Sequence, residues 1–433
     1  MLLAAVGVAL AMGAAVGAGV GPSGAGVDLP GLGADDGLTE LWLSDTARDV
    51  EGNHHEAVGA VVDGEPVVFA PISGVPHTHG ADGHASATTH AHESAGCALT
   101  ALSGTTGEVR WTHDVPPANC TIHSVSDPGV ADVDGDGTPE VLAATTERRV
   151  TAFDGASGDV AFDHPLSLYG YTRPVAADLT GDGTTELVVV DIKGTVYAVR
   201  PGGEPRWTRA LEGFVWGQPR VADVDGDGGS EVVVGLGSGR VVALGADGGV
   251  RWNVSAGPGA VTWSTTARLG GDDGLDVVVG TADGRVVVLD GADGHRVWQR
   301  GLGDLAAVHA VGDGDGDGAP EVYATANDGV VRALSGDDGA VEWRTAVTDG
   351  DVQMMPPPAM GDLDGDGGHE LVVAGNDGTV SVLAADDGTV RASYERDVRV
   401  YARPTLADLD GDGAPEIVVM YGDGRVAALD YSP

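Results

Sequence analysis

Residues 132–140, DVDGDGTPE, decide how the rest of the chain is read, because the nonapeptide returns. Further copies start at Asp178, Asp223, Arg268, Asp313, Asp362 and Asp408, giving intervals of 46, 45, 45, 45, 49 and 46 residues. A fixed period of this length marks one supersecondary unit repeated along the chain, each copy burying its apolar face against the next. Acidic side chains at positions 1, 3 and 5 converge on one point if the chain turns sharply between them. The glycines at positions 4 and 6 permit that turn by accepting positive φ. An acid at position 9 can close the oxygen shell, and a hard cation taking about 6–8 oxygens suits the set, calcium tolerating irregular geometry better than magnesium.

The expected calcium ligands are Asp132, Asp134, Asp136 and Glu140; Asp178, Thr180, Asp182 and Glu186; and Asp223, Asp225, Asp227 and Glu231. The later copies supply Asp313, Asp315, Asp317 and Glu321; Asp362, Asp364, Asp366 and Glu370; and Asp408, Asp410, Asp412 and Glu416. Thr180 departs mildly, since its hydroxyl is still an oxygen ligand. In the copy at Arg268, Arg268 and Gly270 replace the first two ligands, so about six sites are expected and none there. The first five positions match an EF-hand loop, but strand-like runs (VLAAT, LVVVD, VVVGL) follow and no helical pattern flanks it. These read as calcium-bearing hairpin turns of structural purpose. Three carboxylates in one turn repel each other, and a bound cation couples the turn to folding.

Working outward, residues 219–256 hold PRVAD, the loop, SEVVVGLG, GRVVALG and GGVRWNVS. These are four short strands joined by turn signals with no 3.6-residue period, the pattern of a propeller blade. The fourth strand carries its own motif. ALSGTTGEVRW ends at Trp111, VLDGADGHRVW at Trp298 and ALSGDDGAVEW at Trp343, with Phe162 ending a related stretch and Trp207 and Trp252 shorter ones. This motif resembles the tryptophan-docking repeat of quinoprotein (PQQ-like) propellers. The acidic hairpin is similar to the calcium loop of FG-GAP and integrin-type propellers. Together the resemblances cover nearly all of 38–433 and imply an all-β propeller, with a tryptophan packed between neighbouring blades. A degenerate unit (57–72 and 97–111) precedes the seven loops, and the last unit lacks a fourth strand that residues 38–45, LTELWLSD, can supply, with Trp42 in the docking position. Eight four-stranded blades closed by an N-terminal strand are therefore expected, with seven as the alternative.

The chain of 433 residues carries a formal charge of -43, with 23 Lys+Arg, of which Lys193 is the single lysine. A strongly acidic, lysine-poor chain that still patterns as packed strands resembles proteins of extreme halophiles, including haloarchaeal ones. The charge excludes nucleic acid as an expected partner. Residues 2–20 are uncharged and apolar. Residues 1–21 are read as a signal peptide or membrane anchor, 22–37 as a Gly/Ala/Pro linker and 38–433 as the propeller, placing the protein outside the cell or anchored at its surface, with membrane contact only through the N-terminal segment.

Unusual residues collect where the chain leads into the first strand of each unit, on the face opposite the acidic loops. They are His54, His55, His123, Tyr169, Tyr171, Arg173, Phe214, Trp216, Gln218, Trp263, His309, Met354, Met355, Tyr401 and Arg403. The insertion 74–97 joins that face with His77, His79, His90 and His92. Clustered imidazoles suit copper or zinc. A solvated polar loop with incidental histidines is the alternative. Cys97 and Cys120 fall on the same face, and in an exported protein a disulfide is expected. Three functions fit: a non-catalytic binding or scaffold module for a protein or glycan ligand, an oxidoreductase (quinoprotein or copper/zinc dependent), or a polysaccharide lyase using Arg173, Arg403, Tyr171 and Tyr401. The binding module is favoured. PQQ is not expected as a cofactor, because the two cysteines are not adjacent, whereas many quinoprotein dehydrogenases carry a neighbouring pair.

Overall fold

Alternating apolar residues and Gly-rich turns form the expected strands. The computed structural model describes residues 37–48, 52–74, 96–120, 125–270, 273–348 and 352–433. Its 32 strands form eight four-stranded antiparallel sheets. Seven sheets use four consecutive strands, spanning 58–115, 129–165, 175–210, 220–255, 261–301, 307–346 and 359–395, and are numbered blades 1 to 7 in that order. Blade 8 takes three strands between Thr405 and Tyr431 and completes itself with Leu38–Leu43. That closing strand runs antiparallel to Val426–Tyr431, with Leu38 opposite Tyr431 and Trp42 opposite Ala428. The first strands of successive blades lie against each other all the way round, blade 8 against blade 1 included. The fold is an eight-bladed β-propeller, and the seven-blade alternative is excluded by a complete first blade.

The second and third strands of each blade are almost wholly buried, as in Glu231–Gly235 and Arg240–Leu244, and apolar clusters fill the space between neighbouring sheets. Outer strands alternate exposed and part-buried residues and carry the docking tryptophan. Its indole N–H donates to a carbonyl in the turn before the next blade's fourth strand. The pairs are Trp42 to Gly104 (2.6 Å), Trp111 to Gly155 (3.0 Å), Trp207 to Ala246 (2.8 Å), Trp252 to Gly291 (2.7 Å), Trp298 to Gly336 (2.6 Å) and Trp343 to Ala385 (3.0 Å). A buried indole needs such a partner, and the ring covers apolar surface at the same time. Phe162 meets the blade 3 turn at Gly203 without that hydrogen bond. Blade 7 places Ala392 at the docking position, beside Gly37 and the closing seam. Blade 8 has no turn between its third and fourth strands, because Val426–Tyr431 and Leu38–Leu43 are not consecutive in the chain, so a tryptophan would have no such turn to dock on.

Candidate functional site

The acidic loops connect first to second strands in blades 2 to 8, while blade 1 turns there through Asp63 and Gly64, both at positive φ. Each complete loop winds around its own carboxylates. In the first copy Asp132 accepts from the N–H groups of Gly135 (2.7 Å) and Gly137 (3.0 Å), Asp134 from Asp136 (3.1 Å) and Asp136 from Thr138 (2.7 Å). The copies at Asp313, Asp362 and Asp408 repeat the pattern. Carboxylate oxygens of Asp132, Asp134 and Asp136 lie within 4.8 Å of one another, as do those of Asp362, Asp364 and Asp366. In two other copies the converging set is Asp223, Asp225 and Glu231, and Asp313, Asp315 and Glu321.

The acid at position 9 begins the second strand and has a job that sequence spacing alone did not reveal. Glu140, Glu186, Glu231, Glu321, Glu370 and Glu416 are buried, and each accepts the N–H of position 2, as in Glu140 with Val133 at 2.9 Å and Glu370 with Leu363 at 3.0 Å. Glu186 also takes Arg206 at 2.6 Å. Burial, reinforced by the loop aspartates, pushes the carboxyls of Glu140, Glu321, Glu370 and Glu416 above their usual range and that of Glu231 to about 7. Buried acids crowded by other acids fit a cation, which reverses that penalty. The degenerate copy retains the hydrogen bond without the ligands: Asp276 accepts Leu269 N–H at 3.2 Å, while the Arg268 guanidinium donates to the Asp273 carbonyl at 2.9 Å. A fixed positive side chain stands where position 1 would otherwise supply a carboxylate.

The first strands and their lead-in residues form the inner wall of the ring, and there a second charged system assembles. Glu56 Oε2 accepts from Arg173 at 2.8 Å and Arg403 at 2.9 Å. Asp127 accepts from the Glu56 N–H (2.7 Å) and from Gln218 Nε2 (2.7 Å), and its carboxylate lies 3.1 Å from His55 Nδ1. Burial opposes ionisation of Asp127, but His55, Arg173 and the Glu56 N–H together hold its carboxyl down at about 2. Burial also drives His309 well below the usual histidine range, helped by Arg403, Arg220 and Arg173, and takes Arg220 down to about 10. His54, His55 and Tyr171 cluster nearby, the histidine rings tilted with centroids 4.6 Å apart and His55 edge-on to Tyr171 at 5.3 Å.

The residues expected on the face opposite the loops thus divide. Arg173, Arg403, His55, Tyr171 and His309 join the inner wall. Trp263 packs against the apolar cluster between blades 5 and 6, and Tyr401 is buried. Trp216, Tyr169 and His54 are half-buried, and Phe214 is exposed. His77, His79, His90, His92 and His123, with residues 1–36, lie outside the described residues. Cys97 and Cys120 are bonded to each other, Cα atoms 5.3 Å apart. Glu56, Asp127 and Arg220 were missed by the sequence reading. The signal was positional, since each stands within a few residues of the start of a first strand or, for Arg220, at that start, where Arg173 and Arg403 were already noticed.

Comparisons fit this architecture. The family model described as outer membrane protein assembly factor BamB matches residues 170–317, 238–395 and 316–432, and an FG-GAP-like repeat model matches 132–189. The chain belongs to the first of these families, a PQQ-like repeat propeller family. No curated protein matches it in sequence. Among solved structures it is similar to BamB from Moraxella catarrhalis (15% identity, 91% of this chain and 98% of that one, TM-score 0.60). It is also similar to the V. cholerae biofilm matrix protein Bap1 (15%, 92% and 92%, 0.65) and to the computationally designed Ika8 protein (16%, 91% and 99%, 0.63). At these identities the likeness is one of fold.

Proposed function

We propose that this protein is a calcium-braced propeller working outside the cell as a non-catalytic binding or scaffold module. The observation that carries the reading is the donor set of the loops, six acidic turns of one form each ending in a buried acid. Calcium, when bound, supplies the charge that lets those carboxylates share a turn, and weak calcium modules fill at the millimolar levels found outside cells. The matched family is named for outer membrane assembly and one structural neighbour for a biofilm matrix, both surroundings that suit an exported scaffold. The ligand is a protein or glycan held by the half-buried and exposed aromatics Trp216, Tyr169 and Phe214 on the connections leading into first strands, a normal role for aromatic side chains.

Elemental mass spectrometry on protein purified in high salt, without nickel affinity or chelator, tests the first half. About six calcium ions per chain is the expected count; one or none sinks the reading. Screening the full chain against protein and glycan arrays tests the second half, with Trp216→Ala expected to abolish any hit.

A further inference from the structure

The inner wall is a positive island in a chain of formal charge -43. Three guanidiniums, Arg173, Arg220 and Arg403, face two carboxylates, Glu56 and Asp127. Glu56 is shared between two of the arginines through one oxygen, and Asp127 is committed to His55, Gln218 and a backbone N–H. Arg220 binds only the Ser264 carbonyl, with Nε at 2.7 Å, and has no carboxylate partner among the described residues. One positive charge is left over. Arg403 is 9% exposed, yet its Nε finds no hydrogen-bond partner, and neither does the buried Nε of Arg173. Leaving buried donors unmet is costly.

Those two arginines, with His309, border a cavity of about 560 Å³ whose remaining wall combines the apolar Val58, Val311, Met360 and Leu406 with the polar His369 and Thr405. A guanidinium fork matches a planar oxyanion, and apolar walls around a few convergent polar groups describe a small-molecule site. The surplus of one charge fits a carboxylate better than a phosphate, which brings close to two negative charges at neutral pH.

We propose that this cavity binds the carboxylate of a small organic acid, held by Arg173 and Arg403 with His309 alongside, while Arg220, which does not border the cavity, adds a nearby positive charge. The cavity reaches the blade 7 loop through Gly361 and His369, but none of the proposed calcium ligands and none of the aromatic residues of the proposed function borders it, so loss of the acid with calcium retained fails this reading alone.

The test is isothermal titration calorimetry on the full calcium-loaded chain with acetate, lactate and glucuronate, with glucose as the neutral counterpart of glucuronate and inorganic phosphate as the competing oxyanion. Saturable binding of at least one carboxylate is expected, with none for glucose and weaker binding for phosphate. Arg403→Gln removes a guanidinium from the cavity wall and should weaken that carboxylate about tenfold, the scale of one charge-assisted hydrogen bond, while Arg220→Gln removes only a nearby charge and should weaken it about threefold. Arg220→Gln leaves the Glu56 pairs intact, so it reads the site even if Arg403→Gln fails to fold. The proposal is overturned if no carboxylate binds by tens of millimolar, if glucose binds as well as glucuronate, if phosphate binds and the carboxylates do not, or if folded Arg220→Gln keeps full affinity.

Discussion

At Gly339 the backbone φ is +69°, and an added Cβ would stand 2.6 Å from Trp298 Cε3. The same contact recurs at Gly294 under Trp252 and at Gly388 under Trp343, each glycine lying under the tryptophan of the preceding blade, which is why the turn before the outer strand keeps a glycine there. Gly316 in the acidic loop has φ +76° but nothing within 4 Å of an added Cβ. Gly339→Ala therefore meets both backbone strain and overpacking and should cost about 3–5 kcal/mol, whereas Gly316→Ala meets strain alone, about 1–2 kcal/mol. Urea unfolding of both variants at saturating calcium decides this, and equal costs would remove the ring contact as the reason for the motif. At Asp127 the folded carboxyl sits at about 2, against an ordinary 3.8. The folded state holds its proton less tightly than the unfolded one, so the stability Asp127 contributes is complete above pH 3.8 and drains as pH falls toward 2. Asp127→Asn should lower stability at pH 7 by about 1–3 kcal/mol and flatten the decline between pH 4 and 2. Unfolding midpoints across pH 2–5 for both proteins check it, and parallel curves would refute it.

Within one element, the acidic hairpin, one position does two jobs. Position 9 closes the turn on the N–H of position 2 in every copy, including Asp276 in the loop without a full ligand set, and in two copies its carboxylate also converges with those of positions 1 and 3, which the degenerate copy lacks. Asp362→Asn with Asp364→Asn should then remove one calcium ion per chain while blade 7 still folds, with a drop in melting temperature of a few degrees. The reciprocal change, Arg268→Asp with Gly270→Asp, should add one. Calcium counting reads both, and an unchanged count in the first variant would take those aspartates out of the ligand set. These hairpins and the docking strands were legible in sequence because each is local: nine residues hold a loop and eleven hold a Gly-to-Trp turn. Even Trp42 and the missing fourth strand could be read, since a gap in a repeat has a definite shape. The inner-wall network could not. Glu56 meets Arg173 across 117 residues and Arg403 across 347, and Asp127 meets Glu56 across 71. Those separations carry no period, and only closure of the ring makes the residues neighbours.

For the whole molecule, closure gives blade 8 its fourth strand and turns a row of blades into a ring whose remaining sheet edges are short outer strands. The join is made by six residues, Leu38–Leu43, pairing with Val426–Tyr431, and is tied at its ends by Trp42 on Gly104 and by Ser432 N–H on the Gly37 carbonyl at 2.9 Å. No covalent turn holds this seam, unlike the other seven blades, so it is where the ring should open first. Opening exposes the backbone of Val426–Tyr431, an apolar strand whose interior is buried in the closed ring, and an exposed apolar edge recruits another chain. A variant lacking residues 38–43 is expected to keep most of its strand content and its calcium, because blades 1 to 7 and their loops are intact. It should nevertheless unfold at markedly lower temperature and associate with itself. Trp298→Ala is the matched control, removing the same docking contact inside a covalently continuous blade, and should destabilise without association. Light scattering and circular dichroism on the two variants separate the outcomes. A monomeric deletion variant with unchanged melting temperature would mean that the N-terminal strand merely decorates a ring already held shut by its inner wall, where Glu56 links blade 1 to blades 3 and 8 through Arg173 and Arg403.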